Sequence, residues 1–176
     1  MALRSDWSEA LCPVGRSLDV LGDPWVLLIV RDVLHGHGRF DTLRENLRIS
    51  EAVLSRRLHS MVEAGLLERV DYQDGARTRQ GYAATEAAAD LLPILQQLAV
   101  WGEKHTTMPA GGAHMPMIHD TCGQETIQGE VCSSCGEVLV PEAMTWVKPW
   151  KVEKGGEGLE GQKGTREKLQ PAGTLV

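Results

Sequence analysis

At 176 residues and a formal net charge of −6, the chain has room for one well-packed domain plus an appendage, too little for two full-size domains. Its longest apolar run, residues 25–30, falls far short of the roughly 18 to 20 residues that a membrane helix needs, and its acidic start lacks the apolar region of a secretory signal, so the cytoplasm is the expected compartment. The acidic balance also argues against a protein that holds nucleic acid by bulk positive charge.

In chain order, Val14, Leu18 and Leu21 share one face of a helix predicted over 13–21, which Gly22 ends. Asp23 is a good N-cap and Pro24 a good first residue for a second helix reaching about residue 34. Apolar residues surround nearly every side of it, so it is expected to be central and buried. The glycines of 35–38 stop it. His35 and His37 there, like His59, have no partner at a useful spacing and are expected on the surface. A short third helix, 39–47, turns Phe40 and Leu43 inward, and a turn at Arg48 and Ile49 leads to Ser50, the natural N-cap of a fourth helix over 50–64. Two helices joined by a tight turn, the second capped by Ser and rich in Arg, form a helix-turn-helix pattern.

Strands over 66–72 and 78–84 flank the polar turn 73–77 and make a wing spanning 66–84. Thr85 and Glu86 open a fifth helix, in which Pro93 permits a kink and Leu91, Leu92, Leu95, Leu98 and Trp101 form a broad apolar stripe. The stripe exceeds what one small domain covers, which predicts a homodimer built on this helix and joined by the first. A linker follows over 106–117, then a cysteine-bearing segment over 118–141, then a tail over 142–176 whose end is glycine-rich and charged and which is expected to be largely disordered. The expected class is mainly α with a small β-hairpin wing (α+β): a winged helix-turn-helix domain over 1–105 with a short C-terminal zinc-ribbon-like appendage.

The residues Cys12-Pro13-Val14, Leu18-Asp19-Val20-Leu21-Gly22, Pro24-Trp25, Leu28-Ile29-Val30-Arg31-Asp32, Arg39-Phe40, Leu43, Ile49-Ser50, Leu54-Ser55-Arg56-Arg57-Leu58 and Gly65-Leu66 closely resemble the HxlR family of winged-helix regulators, relatives of the MarR type. The match continues through Tyr72, Tyr82, Thr85, Leu92-Pro93, Leu98 and Trp101-Gly102, in register over about 12–105. The resemblance implies a cytoplasmic dimer that binds double-stranded DNA as an activator or repressor, often in response to a chemical signal. A hydrolase or redox enzyme has no nucleophile–base pair or cofactor loop behind it, so no enzyme is expected. Two departures stand out. Ala52 occupies a place where the family often has Lys, and the wing over 73–81 is one residue longer and lacks the family's proline pair.

Between Arg31 and Arg57 stand six arginines against four acids, a locally basic stretch that alone would read as an ordinary solvated face. With Leu54, Leu58 and Met61 of the fourth helix inward, Ala52, Arg56, His59 and Glu63 fall opposite and Ser55 and Arg57 on the flanks. The first turns of a recognition helix enter the major groove, which selects Glu51, Ala52, Ser55 and Arg56 for base edges and Arg57 for a phosphate. Arg56 is the leading candidate, because a guanidinium bonds both acceptors of a guanine. Ser50 offers helix-terminal N–H groups to phosphate. Arg39 lies beside the backbone, and Arg77 and Arg79 project from the wing.

His119-x2-Cys122-x9-Cys132-x2-Cys135 has the spacing of a structural zinc site, with a glycine after the second residue of each pair and His114 as a substitute for His119. A redox-active Cys132/Cys135 dithiol and unligated thiols are the competing readings. Cys12, at the start of the first helix, is either a candidate redox sensor, as the resemblance allows, or a small apolar residue. The alternative function is a zinc-dependent protein-interaction module on a winged-helix scaffold, favoured by the acidic charge and by Ala52. A continuous basic face across Arg39, Arg56, Arg57 and Arg79 would favour DNA instead.

Overall fold

The computed structural model describes residues 6–108, 114–127, 129–152 and 164–175. Helix α1 (Pro13–Leu21) leads to α2 (Pro24–Leu34), where the Asp23 carboxylate accepts the Trp25 amide hydrogen at 3.0 Å and caps the helix as its sequence predicts. Val26, Ile29, Val30, Val33 and Leu34 of α2 are all buried, so this helix is the core's axis. Around it pack α3 (Phe40–Leu47), through Leu43, and α4 (Glu51–Glu63), through Leu54, Leu58 and Met61. Arg48 takes a left-handed conformation (φ 51°), which ends α3 and swings the chain into α4. Ser50 occupies the N-cap position of α4, although its hydroxyl accepts no capping bond.

The wing pairs β1 (Leu67–Asp74) with β2 (Arg77–Ala84) in antiparallel register from Leu67↔Ala84 to Asp74↔Arg77, so its turn is tighter than the polar stretch 73–77 suggested. What reads as one fifth helix is two. Thr85 caps α5 (Glu86–Ala89), and α6 (Leu92–His105) starts at the turn that carries Pro93. Helix α6 buries Leu92, Leu95 and Gln96 but leaves Ile94, Leu98, Val100 and Trp101 exposed, and Leu11, Val14 and Leu18 at the start of the chain are exposed as well.

The C-terminal part departs from expectation. Strands β3 (Met117–His119), β4 (Gln124–Thr126), β5 (Met144–Val152) and β6 (Gly164–Lys168) form a four-stranded antiparallel sheet in the order β4-β3-β5-β6. The tail expected to be disordered from 142 onward therefore supplies two strands and the ordered run 169–175, while 153–163 lies outside the described residues. The reason is burial: Met117, Met144, Trp146 and Leu169 belong to the same apolar cluster as α2 and α4. Met115 and Met117 likewise take the end of the expected linker into the core, while 109–113 lies outside the described residues. His35 and His37 are not free surface residues. His35 is buried and stacks on Trp146 with ring centroids 5.6 Å apart, and His37 meets Glu167 at 2.9 Å. His59 is exposed and faces Glu63 at 3.4 Å. Among the described residues no helix is long and apolar enough to cross a membrane.

Candidate nucleic-acid interface and metal centre

Helix α4 turns Leu54, Leu58 and Met61 into the core, which leaves Glu51, Ala52, Ser55 and Arg56 exposed on its first two turns. Three of the sequence-selected arginines, and Arg44 beside them, have internal partners as well as exposure. Arg57 is half-buried and paired with the Asp23 carboxylate, which ties α4 to the cap of α2. Arg39, at the N-cap of α3, lies 4.7 Å over the Tyr72 ring of the wing, and its Nε is buried without a hydrogen-bond partner. Arg79 pairs with Asp74 across the wing at 2.8 Å, and Arg44 sits within 3.7 Å of Glu51. Such half-exposed pairs contribute little to stability and are readily exchanged for phosphate. Arg56 and Arg77 are exposed near them.

His119, Cys122, Cys132 and Cys135 converge so that their ligand atoms all lie within 4.8 Å of one another. The local folding is the same at both ends. In each pair the amide after the second ligand returns to the carbonyl of the first, Gly123 to His119 at 2.8 Å and Gly136 to Cys132 at 2.9 Å. That turn requires a left-handed residue, supplied by Gly123 (φ 69°) and Gly136 (φ 78°). Strand β3 fixes His119 between Gln124 and Met144, and the Val131↔Val138 bridge closes the second knuckle.

The distances fit a metal. His119 Nδ1 lies 3.5 Å from Cys122 Sγ and 3.3 Å from Cys135 Sγ, and Cys122 and Cys132 Sγ are 3.8 Å apart. Tetrahedral zinc, with bonds near 2.0 to 2.3 Å, separates its ligand atoms by about 3.5 to 3.8 Å. His119 is fully buried and presents its other nitrogen to Glu137 at 3.9 Å. Burial pushes the Cys132 thiol up, but amide hydrogens of Cys135 and Ser134 and contacts with Thr126 and Cys135 outweigh it, and its pKa falls to about 6. For Cys135 the Glu137 amide favours the thiolate, but desolvation and the neighbouring sulfurs of Cys132 and Cys122 win and push it up. A divalent cation would remove that competition and hold the thiols as thiolates.

His114, the suggested substitute ligand, serves elsewhere. Its ring bridges Glu103 of α6 at 2.5 Å and Glu125 of β4 at 2.6 Å. Cys12 is exposed at the N-cap of α1, away from the other cysteines. Sequence reasoning missed the Arg57–Asp23 and Arg39–Tyr72 pairs, whose partners lie far apart along the chain.

The model of the HxlR-like helix-turn-helix family matches residues 20–109, about half of the chain. An uncharacterized HTH-type transcriptional regulator of Mycobacterium tuberculosis, Rv3095, is 37% identical over 132 residues, which span 75% of this chain and 82% of that one. The crystal structure of PA1607, described as a transcription factor candidate, is similar with 32% identity and a TM-score of 0.63, covering 79% of this chain and 96% of that one. The redox regulator HypR in its oxidized form is 28% identical with a TM-score of 0.50, covering 55% of this chain and all of its own.

Proposed function

The chain belongs to the HxlR-like helix-turn-helix family of transcriptional regulators, and from that premise we propose that it is a cytoplasmic homodimer binding an inverted-repeat operator through α4 and the wing. The observation that carries the reading is the family match over 20–109 coinciding with a fourth helix whose first turns are exposed at Glu51, Ala52, Ser55 and Arg56. In this reading α4 enters the major groove, Arg56 reads a guanine, and Glu51, Ala52 and Ser55 line the remaining base edges. Ser50 and Arg39 meet phosphates at the two helix starts, Arg77 and Arg79 follow the backbone or minor groove, and Arg57 chiefly holds α4 in place.

Exposed apolar side chains on α6 and on α1, among them Trp101 at 59% exposure and Val14 at 65%, support a second copy of the chain as the partner. A two-fold protein then requires half-sites with centres about one helical turn of DNA apart. The four-ligand cluster supports a structural zinc, held by His119, Cys122, Cys132 and Cys135, which would supply folding energy and no catalysis. Selecting bound fragments from the source genome tests the reading, with light scattering of the protein alone and on the recovered duplex. Recovered fragments should share an inverted repeat and the mass should be that of a dimer. A monomeric mass in both states, or fragments without a common sequence, would contradict it.

A further inference from the structure

Past β6 the chain leaves the sheet and runs back over the winged helix. Leu169 is buried in the α2 core, the Gln170 amide donates to the Leu34 carbonyl at 2.7 Å, and the Gly173 amide donates to the Ala84 carbonyl at 2.8 Å. The run ends with Leu175 seated against two glycines from separate elements. One is Gly38, immediately before Arg39; the other is Gly81, within wing strand β2.

The seat is built by the lack of side chains. A Cβ on Gly81 would stand 2.4 Å from Leu175 Cδ2, and one on Gly38 would stand 2.8 Å from Leu175 Cδ1 and 1.7 Å from the Tyr82 carbonyl oxygen. Glycine inside a strand weakens it, and it marks a place where something must approach closely. At Gly81 the close neighbour is Leu175. The Tyr82 amide donates to the Gly38 carbonyl at 2.9 Å, so the same spot joins the wing base to the residue before Arg39. The Tyr72 ring, which lies under the Arg39 guanidinium, also borders Gly81.

We propose that the C-terminal strap, 169–175, is a positioning element for DNA binding: Leu175, locked between Gly38 and Gly81, fixes the wing base against the start of α3 and so holds Arg39 and the wing arginines at the spacing of the phosphates. The strap follows directly from β6, so it ties the sheet that carries the His119 ligand cluster to that surface. This inference rests on the regulator reading above and names residues outside the helix-turn-helix that tune it.

Three full-length variants test it: Leu175→Ala, Gly81→Ala and the double variant, with Leu175→Met as the conservative control. The probe is a labelled random-sequence duplex, whose affinity reads phosphate contacts through its salt dependence. Both single variants should bind roughly 3- to 10-fold more weakly with a salt slope shallower by about one, and the Tyr82 amide should exchange faster. Leu175→Met should bind like the unsubstituted chain. Because Gly81→Ala acts by evicting Leu175, the double variant should be no worse than either single one. Additive losses, or unchanged Tyr82 exchange and duplex affinity in Leu175→Ala, would overturn the inference while leaving the regulator reading intact. No binding of the random duplex by the unsubstituted chain would overturn the inference alone, and no binding of genome-selected duplexes either would overturn both.

Discussion

Residues 13–105 bury a file of side chains along α2 and surround it with α3, α4, the wing and α6, whereas the buried apolar side chains among the described residues from 114 to 175 are Met117, Cys132, Met144, Trp146 and Leu169. All of these but Cys132 belong to the first region's cluster. The first region therefore has a core of its own. The second has a sheet, two glycine-closed knuckles and a borrowed core, so its order depends on what it docks against and on whatever its four convergent ligands hold.

Removing the metal should have the largest effect on this contrast. Structural zinc contributes an apparent ~10 to 16 kcal/mol in small metal-folded peptides at neutral pH. Purified protein should carry about one zinc per chain, and chelation should collapse protection of β3, β4 and the knuckles while the helical circular-dichroism signal largely survives. The docking of β5 and the strap means that loosening should extend beyond 118–141, toward Trp146 and the wing base. Metal-free protein with native amide protection at His119 and Cys132 would break the contrast.

Trp146→Ala comes next, because Trp146 is a large buried side chain shared by the two regions, stacked on His35. Large-to-small substitution of a buried Trp costs roughly 3 to 5 kcal/mol, and the loss should appear in both regions, as a lower Tm for the helices and weaker metal retention. Ile29→Val, deep in α2, should cost only about 0.5 to 1.5 kcal/mol and leave metal affinity unchanged. A change in metal retention equal to that of Trp146→Ala would show that the regions are not separable in this way.

The smallest effect concerns His114. Its pKa is raised above 6.5 by the hydrogen bond to Glu125, with burial opposing and the hydrogen bond and charge of Glu103 reinforcing. A raised histidine stabilises the fold fully below its unfolded value and loses that contribution as pH rises through the folded value. The clasp between α6 and β4 is half-exposed, so its contribution is small. The Tm difference between the unsubstituted chain and His114→Gln should be steady below pH 6.5 and shrink above it. A difference that grows with rising pH would reverse the assignment.

Local signals explain which parts were legible in the sequence. Helices α1 to α4 carry an apolar period of 3.6 with Asp23, Ser50 and Gly65 marking their ends, and each glycine-closed knuckle is complete within five residues, glycine included. Strand β5 was hidden because its signal is a short alternation, Met144 and Trp146 buried, followed by a glycine-rich stretch, and because its partner β3 lies before both cysteine knuckles. The strap left no local trace at all. Its clue was Gly81, a glycine inside a strand, which has meaning only once Leu175 is beside it. Exposure of Arg56 followed from the helical period, whereas the engagement of Arg39 and Arg57 depended on Tyr72 and Asp23, which no periodicity connects to them.

The central claim is that α4 reads sequence, and the direct test is discrimination between a genome-selected duplex and a scrambled one by Arg56→Ala. A guanidinium bonding a guanine bidentately contributes roughly 1 to 3 kcal/mol of discrimination. The account predicts that the specificity ratio drops by about 5- to 150-fold, the equivalent of that range, while the scrambled duplex is bound nearly as before and the dimer mass and Tm are unchanged. A specificity ratio equal to that of the unsubstituted protein would contradict it.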